Sequence, residues 1–245
     1  MRPYVIIPAR MAASRLPGKP LADIGGMPMI VRVLRQAEAA GIGDVAVAAG
    51  DAEIVAAVQA ASGTAVLTDP DLPSGSDRVL AAIEKLDPDR RCDVVVNLQG
   101  DMPFIAPAAI SACLGVLAAE PDCDIATAIA PEASSDDRSD PAVVKALVAL
   151  TPGAPRGRAL YFTRSVLYGD GAVWKHVGIY AYRRDALARF CAAPPSPLEQ
   201  REKLEQLRAL ELGLAIWAAV VDETPISVDT PADLEAARAF ARDRP

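Results

Sequence analysis

The chain has 245 residues, of which 51% are hydrophobic, and this composition excludes the disordered and fibrous classes. Its 32 acidic side chains outnumber its 25 lysines and arginines, giving a formal net charge of −7. This balance argues against nucleic acid as a partner, because proteins that bind nucleic acid present a basic face to the phosphates.

The first half of the chain alternates between strand-like and helix-like segments. Short apolar runs predict strands over residues 4–9, 44–49, 64–68, 92–99 and 124–130. Amphipathic segments predict helices over 28–41, 51–62, 74–86 and 106–119, and Asp51 is the expected N-cap of the second helix. Such alternation is typical of βαβ units in a mostly parallel sheet, where ligands bind beyond the carboxyl ends of the strands.

The pattern changes from about residue 131. Residues 131–141 are predicted to form a polar loop. Two strand-like segments, 142–150 and 173–183, follow without an obvious crossover helix between them. We therefore predict a smaller, partly antiparallel insertion over about 131–213, at the edge of the main sheet.

The remaining segments return to the earlier pattern. They are a helix over 196–213, strands over 215–221 and 226–229, and a last helix over 230–242. Ser196 and Glu199 have the spacing of a capping box, and Gly213 suits the end of that helix. The sequence thus predicts a single α/β domain over 1–245, with a Rossmann-like, three-layer arrangement and the insertion described above.

A basic stretch directly follows the first predicted strand. Residues 10–19 contain Arg10, Arg15 and Lys19 and no acid. The loop after the first strand of such a sheet is a usual phosphate site. Here it has neither G-x-G-x-x-G nor G-K-[ST], which argues against a P-loop kinase or GTPase. Three cations and a metal would instead neutralise a triphosphate. A solvated basic loop is the alternative, and it is disfavoured because two prolines fix the path around Lys19.

Two aspartates far apart in the sequence follow predicted strands. Asp101 comes after strand 92–99, and Asp229 ends segment 226–229. Because the carboxyl ends of parallel strands share one edge of a sheet, we expect both carboxylates to lie beside the basic loop. Two carboxylates suit Mg²⁺, which completes its coordination with water and phosphate oxygens. Taken singly, Asp101 suits the turn before Pro103 equally well, and Asp229 suits the start of the last helix.

Seven motifs occur in order along the whole chain: IIPARMAASRLPGKPL, LPSGSDR, NLQGDMP, ALYFTR, HVGIYAYR, LEQLR and VDTPADL. Together they resemble the 3-deoxy-D-manno-octulosonate (Kdo) cytidylyltransferases, the CMP-Kdo synthetase family. The resemblance implies a fold of the nucleotide-diphospho-sugar transferase type. It also implies transfer of CMP from CTP to the anomeric hydroxyl of Kdo, with release of pyrophosphate, for synthesis of the lipopolysaccharide inner core. Mg²⁺ and a cytoplasmic homodimer, with the insertion serving the dimer and the sugar pocket, are implied as well.

The resemblance also implies roles for individual residues. The catalytic set would be Arg10, Arg15, Lys19 and Asp101. The nucleotide would contact Ala9, Arg10, Arg15, Lys19, Ser74, Gly75, Ser76 and Gln99. The sugar pocket would contain Gln99, Arg164, His176, Glu205 and Gln206, and the metal would be held by Asp101 and Asp229. Without the resemblance, the lone histidine of WKHVGIY suits a core or surface position, and two polar residues on an amphipathic helix suit solvent.

The chain departs from the family pattern at three places. Met102 replaces the glutamate of Q-G-D-E-P, while Asp101 is kept. Ala49 and Gly50 replace the last two residues of V-A-T-D, so we do not expect nucleotide contacts from that loop. SGSDR replaces S-G-T-E-R, which places the shorter Asp77 at the position of a glutamate.

The expected reaction is in-line attack of a sugar hydroxyl on the α-phosphorus of CTP, in which the enzyme positions the reactants and stabilises charge. One alternative is a cytidylyltransferase for another sugar acid, of the amino-Kdo or sialic-acid type, with the same loop and aspartates. The other is a non-catalytic nucleotide-binding protein, which is disfavoured because Arg15, Lys19, Asp101 and Asp229 occur together.

Two further expectations concern the environment of the protein. No apolar run approaches the roughly 18–20 residues of a membrane helix, and a strand begins near the N-terminus, so neither membrane insertion nor a signal peptide is expected. The four cysteines lack C-x-x-C spacing, and there is one histidine. These features predict reduced thiols in the cytoplasm and argue against a zinc site.

Overall fold

The structure, a computed structural model, describes residues 1–12, 15–131, 135–167 and 172–243. The chain forms two compact units. Unit 1 comprises Met1–Ile110 and Pro225–Pro245, and unit 2 comprises Ser111–Thr224. The insertion predicted at about 131–213 lies within the range of unit 2, and its role in a dimer stays a prediction.

The helices and strands follow the order of the chain. The first segment of unit 1 contains β1 (Pro3–Ala9), a 3-10 helix (Lys19–Leu21), β2 (Asp23–Ile24), β3 (Met27–Pro28), α1 (Met29–Ala39), β4 (Asp44–Ala49), α2 (Ala52–Ala60), β5 (Ala65–Leu67), α3 (Gly75–Leu86), β6 (Val94–Leu98) and the start of α4 (Pro107–Ala119). Unit 2 continues with β7 (Ile125–Pro131), α5 (Ser135–Ser139), β8 (Lys145–Ala149), β9 (Arg156–Thr163), β10 (Trp174–Arg183), α6 (Arg184–Ala192), α7 (Pro197–Glu202), α8 (Gln206–Glu211) and β11 (Ile216–Val220). The last helix, α9 (Pro231–Asp243), belongs to unit 1.

The main sheet of unit 1 is parallel, in the order β5-β4-β1-β6. Val5 of β1 lies opposite Val45 of β4 on one side and Val96 of β6 on the other. The consecutive residues Val5, Ile6 and Ile7 have no exposed surface, as expected when both faces of a sheet are covered. The predicted α/β class is confirmed, and β1 and β6 end at the same edge of the sheet.

The C-terminal segment completes the core of unit 1. Leu234 and Ala237 of α9 are buried in one apolar cluster with Ile24 and Met29. The helix begins as predicted at Thr230: the Asp233 carboxylate accepts hydrogen bonds from the backbone N–H and the hydroxyl of Thr230, at 2.8 Å each. The predicted strand over 226–229 is wrong, because these residues form no strand and pair with no sheet.

Unit 2 is built on five strands in the order β10-β7-β11-β9-β8. Only β7 and β11 pair in parallel, with Ile125 opposite Ile216. The other pairs are antiparallel, and β8 pairs with β10 as well as with β9, so that the five strands close on themselves. The partly antiparallel character predicted for this part of the chain is confirmed.

Unit 2 also contains the larger errors of the sequence-based assignment. The predicted loop 131–141 includes the short helix α5, while 132–134 lie outside the described residues. Strand β9 and helix α6 were missed. The single helix predicted over 196–213 is two helices, because Lys203 adopts the left-handed conformation (φ 58°) and ends α7. The capping box of Ser196 and Glu199 is confirmed.

Candidate functional site

A cleft of about 320 Å³ lies in unit 1, beyond the carboxyl ends of β1 and β6. The basic loop, the segment before α3 and the segment after β6 form its walls. The residues predicted from the sequence that line it are Ala9, Arg10, Arg15, Lys19, Ser74, Gly75, Gln99, Asp101 and Asp229. Ser76, the remaining member of the predicted nucleotide set, is instead buried, and its hydroxyl oxygen lies 3.4 Å from Asn97 Nδ2.

Backbone hydrogen bonds fix the path of the basic loop. Gly18 has φ +72°, a left-handed conformation that favours glycine, and its N–H donates to Met11 O at 3.0 Å. The Met11 N–H donates in turn to Asp51 Oδ2 at 2.7 Å. Asp51 stands at the N-cap position of α2, as predicted, but its carboxylate holds this loop and makes no capping bond. Ala13 and Ser14 lie outside the described residues.

The two predicted aspartates come together around Lys19. Lys19 Nζ donates to Asp101 Oδ2 at 3.2 Å and to Asp229 Oδ1 at 2.9 Å. It also donates to the backbone oxygen of Val228 at 3.0 Å. Arg15 Nη2 lies 3.2 Å from the second carboxylate oxygen of Asp229. The sequence predicted that the two carboxylates lie close together beside the basic loop. It did not predict that two cations of that loop, Lys19 and Arg15, would form ion pairs with them.

One further backbone contact explains how Asp229 reaches this position without a strand. The Val228 N–H donates to Asp101 O at 2.9 Å, which joins segment 226–229 to the segment after β6. The start of α9 at Thr230 fixes the other side of Asp229. A single hydrogen bond and a helix start therefore replace the predicted strand.

The cluster perturbs the pKa values of its members. Burial raises the pKa of Asp101, and the negative charge of Asp229 raises it further, against the opposing effect of Lys19. Burial alone would lower the pKa of Lys19, but the charge of Asp101 and the hydrogen bond to Asp229 outweigh it and raise the pKa. Lys19 is therefore protonated at neutral pH.

The donor set fits a divalent cation that is shared with a phosphate ligand. Two carboxylates and a backbone oxygen already surround one cation, the Lys19 ammonium. Within the part of the chain that the structure describes, no group of three or more histidine, cysteine, aspartate or glutamate side chains could hold a metal ion. Mg²⁺ needs only one or two protein carboxylates when phosphate and water complete its octahedron.

Arg78 is a cleft residue that the sequence analysis missed. The residue is 2% exposed, and its guanidinium donates to Thr68 Oγ1, to Asp69 O at 2.9 Å and to Pro70 O at 3.1 Å. Burial, and secondly the like charge of Arg10, lower its pKa. The sequence feature that could have identified it is an arginine on the apolar face of a predicted amphipathic helix, within the motif LPSGSDR. Arg78 holds the segment that leads into α3 and the cleft.

Gly50, one of the departures from the family pattern, lies beside this arginine. A Cβ atom at this position would stand 3.0 Å from Arg78 Nη1 and 3.2 Å from the Cβ of Arg10. The Gly50 N–H donates to Ala9 O at 2.9 Å, which holds the two backbones close together. Glycine at position 50 therefore leaves room for the side chains of Arg78 and Arg10.

The opposite wall combines a helix start with a chain of amides. Ser74 caps α3: its Oγ accepts from the Asp77 N–H at 3.2 Å and donates to Asp77 Oδ2 at 2.7 Å. Gln99 Nε2 donates to Asn97 Oδ1 at 3.1 Å. The Asp77 carboxylate therefore contacts the Ser74 hydroxyl, whereas the glutamate of a capping box accepts from the backbone N–H of the N-cap residue.

His176, in unit 2, is a neutral side chain. Its Nε2 lies 2.9 Å from Thr127 Oγ1, and its ring centroid lies 5.0 Å from that of Phe162 and 5.5 Å from that of Tyr180. Burial lowers the pKa of His176 to about 4. Burial likewise raises the pKa of Tyr180, with the charge of Glu205 as a second cause. The structure thus brings Glu205 near Tyr180, a residue that the analysis did not select from HVGIYAYR.

Gln206 and Arg164 complete the predicted sugar set of unit 2. Gln206 is 6% exposed, and its Nε2 has no hydrogen-bond partner among the described residues. The Arg164 guanidinium is held by backbone oxygens, with Nε donating to Glu202 O at 3.1 Å and Nη1 to Pro141 O at 3.0 Å. It lines a groove of about 590 Å³ formed by Pro141, Arg164, Ser165, Arg201, Glu202 and Lys203. None of its hydrogen bonds in the described chain goes to His176.

Comparison with known proteins gives a consistent result. A family model described as cytidylyltransferase matches residues 4–216. The 3-deoxy-manno-octulosonate cytidylyltransferase of Rhodospirillum centenum is 59% identical over 243 residues, covering 99% of this chain and 94% of the relative. The protein of the same name from Rhodospirillum rubrum is 57% identical, with 97% and 95% covered.

Solved structures extend the comparison to the fold. A CMP:2-keto-3-deoxy-manno-octonic acid synthetase complexed with CTP superposes with a TM-score of 0.91 and 39% identity, covering all of both chains. A cytidylyltransferase from Leptospira borgpetersenii gives a TM-score of 0.64 at 15% identity, covering 98% of this chain and 86% of the other. The second likeness concerns the fold alone.

Proposed function

Since the chain belongs to the cytidylyltransferase family, we infer that it transfers CMP from CTP to the anomeric hydroxyl of Kdo and releases pyrophosphate. The product, CMP-Kdo, serves lipopolysaccharide synthesis. The observation that carries this conclusion is the cleft of unit 1, where the basic loop and two carboxylates meet beyond the ends of parallel strands.

We propose that the cleft positions the triphosphate for in-line attack. Arg10 and Arg15 would contact phosphate oxygens. Lys19 would also contact them once its ammonium leaves the carboxylates. Their positive charges stabilise the negative charge that develops on the departing pyrophosphate. Ser74, Gly75 and Gln99, on the opposite wall, are the predicted contacts of the nucleoside.

Asp101 and Asp229 are the residues proposed to hold Mg²⁺. When bound, the ion would neutralise charge at the phosphates and supply Lewis-acid polarisation of the reacting groups. The proposal is supported by the convergence of both carboxylates on a single cation. Met102, at the position where the family often has a glutamate, is buried and contributes no further carboxylate.

For the sugar acid, the proposed contacts remain Gln99, Arg164, His176, Glu205 and Gln206. Because burial lowers the pKa of His176 to about 4, its proposed role is that of a neutral hydrogen-bonding group. Arg164 is then the cation of this set. The free amide nitrogen of Gln206 is available to an oxygen-rich ligand.

We further propose that the protein is a cytoplasmic homodimer. Leu147 of β8 and Leu160 of β9 are 36% and 59% exposed on neighbouring strands, and association would cover them. No helix in the described ranges is long and apolar enough to cross a membrane. Sedimentation velocity should give twice the mass of the chain, and a concentration-independent monomer would contradict the dimer.

Pyrophosphate release with CTP, Mg²⁺ and a panel of sugar acids tests the function. Release should require Kdo, and Asp101→Asn should reduce it by about 100-fold or more, because it removes a charge from the reacting centre. Asp89→Asn, at an exposed site of unit 1, is the matched control and should leave the rate unchanged. Pyrophosphate release that requires a different acid would identify that acid, and not Kdo, as the substrate. CTP binding without any release of pyrophosphate would contradict catalysis.

A further inference from the structure

The Lys19 ammonium is fully coordinated by protein oxygens. An ammonium has three N–H donors, and Lys19 directs them to Asp101 Oδ2, Asp229 Oδ1 and Val228 O, at 3.2, 2.9 and 3.0 Å. The side chain is only 17% exposed, so solvent screens these contacts weakly. The arrangement is a built cation site whose cation belongs to the chain itself.

The same oxygens are those that a divalent metal would need. Asp229 Oδ1 binds Lys19, and Arg15 lies 3.2 Å from Asp229 Oδ2, so both oxygens of this carboxylate face protein cations. A metal bound to Asp101 and Asp229 would stand within contact distance of the Lys19 ammonium. Two cations on shared ligands repel each other, and the low exposure of Lys19 and Asp101, 17% and 25%, limits the screening of that repulsion by solvent.

We propose that Lys19 closes the Asp101–Asp229 pair to divalent cations in the free protein, and that a nucleoside triphosphate opens it by drawing Lys19 onto its phosphates. The metal then enters together with the nucleotide and does not precede it. This inference rests on the proposed metal role of the two aspartates. It adds an order of binding that the role itself does not require.

The loop geometry supports such a movement. The backbone of Lys19 is fixed, because its N–H donates to Leu16 O at 3.2 Å and the Gly18 turn precedes it. Lysine is a point charge on a flexible stem, so the ammonium can change partners by side-chain rotation alone. Phosphate oxygens replace the carboxylates as its acceptors, and the carboxylates are then left for the metal.

Mn²⁺ provides the test, because the electron paramagnetic resonance signal of the free aqueous ion measures binding without turnover. Without nucleotide, the wild-type protein should bind Mn²⁺ only weakly. Lys19→Met removes the charge of the side chain and retains most of its length, and it should bind one Mn²⁺ at least tenfold more tightly. Lys19→Met combined with Asp101→Asn should lose that gain.

The chain offers a matched control. Lys175 lies 3.1 Å from Asp137 in unit 2, with side-chain exposures of 17% and 18%, so Lys175→Met removes a comparable ion pair away from the cleft. It should leave Mn²⁺ binding as in the wild type. Circular dichroism of each variant establishes that it is folded.

The outcomes separate this inference from the proposed function. Equal Mn²⁺ affinity of the wild type and Lys19→Met, without nucleotide, would overturn the closure by Lys19 while leaving the metal role intact. If wild-type protein with CTP retains no more Mn²⁺ than CTP alone, and Lys19→Met binds none, the metal role fails and the inference with it. Tight binding by Lys19→Met, together with wild-type binding that appears only with CTP, would support it.

Discussion

At the scale of single residues, one threonine determines what His176 can do. Thr127 Oγ1 donates its only hydrogen to the backbone, with Ile179 O at 2.8 Å as the nearest acceptor. In this arrangement Thr127 Oγ1 accepts the contact with His176 Nε2, which predicts the tautomer with its hydrogen on Nε2. Nδ1 is left as an acceptor. A neutral acceptor suits a hydroxyl of a sugar better than its carboxylate.

His176 should accordingly remain neutral over the physiological range. The chain has one histidine, so its ring signals in ¹⁵N NMR are unambiguous. We expect the Nε2–H form and an apparent pKa near 4 instead of the ordinary 6.5. Thr127→Val should give a mixture of tautomers and raise KM for the sugar more than it lowers kcat. Titration of the ring near pH 6.5 would contradict this assignment.

The same shift affects stability. The unfolded chain binds a proton at the ordinary pKa of 6.5, whereas the folded protein binds it only near 4. Between these values the unfolded state holds more protons, so the free energy of unfolding decreases as the pH falls, by at most about 1.4 kcal/mol per pH unit. His176→Gln should remove this part of the pH dependence in urea denaturation.

At the scale of secondary structure, an ion pair holds α7 against α8. Arg208 donates to both carboxylate oxygens of Glu199, at 2.8 and 2.6 Å, and its guanidinium lies 4.7 Å from the ring centroid of Phe190. The two charged side chains are 7% and 13% exposed. This pair connects two helices that the sequence predicts as one continuous helix over 196–213.

Removing one partner of that pair should be costly. Glu199→Gln removes the nearer carboxylate from the buried Arg208 guanidinium and leaves only Glu205, at 4.0 Å, so we expect a loss of about 3 kcal/mol in the free energy of unfolding. Glu38→Gln, which removes the exposed pair with Arg35, should cost less than about 1 kcal/mol. Denaturant titration followed by circular dichroism measures both. Equal losses would contradict the role given to burial.

The pair also predicts a direction of pH dependence. Burial alone would raise the pKa of Glu199, but the Arg208 contact and the Ser196 N–H lower it below the ordinary 4.5. A carboxylate with a lowered pKa stabilises the fold fully above the unfolded value and loses this effect as the pH falls through the folded value. The contribution of Glu199 should therefore be constant near neutral pH and fade below about 4.5, and Glu199→Gln should not show this loss.

The elements that the sequence predicted well are those with a purely local pattern. Buried apolar runs such as β1 and β6, and helices with clear ends such as α1, follow from neighbouring residues alone. The arginines of β9 interrupt its apolar pattern, and the left-handed Lys203 has no glycine or asparagine signal. The strand predicted at 226–229 has the right composition but no neighbour to pair with.

For the candidate site, the rule for parallel strands placed the basic loop and Asp101 at one edge. The sequence shows the charges but not how they pair, so the contacts of Lys19 with both aspartates required the structure. Arg78 was missed because the pattern treats its helix position as one for an apolar residue. The resemblance selected Arg164, and the structure adds that its Nε and Nη1 donate to backbone oxygens, which the sequence does not show.

At the scale of the whole molecule, the chain leaves unit 1 after Ile110 and returns to it at Pro225. The returning segment supplies both Asp229 and the buried face of α9, so the site and the core of unit 1 depend on the same stretch. Leu234, 8% exposed, contributes to this core but does not line the cleft. A substitution that weakens the packing of α9 should therefore affect CTP binding through the position of Asp229.

Leu234→Ala tests this dependence. Truncating a buried leucine should cost about 2–3 kcal/mol, because the cavity it leaves is only partly refilled. CTP binding should then be lost at a lower urea concentration than in the wild type. Leu67→Ala, at a position 50% exposed, is the control and should leave that midpoint unchanged. Both tryptophans, Trp174 and Trp217, belong to unit 2, so their fluorescence reports on that unit separately. An unchanged CTP midpoint in Leu234→Ala would show that the packing of α9 does not hold Asp229 at the site.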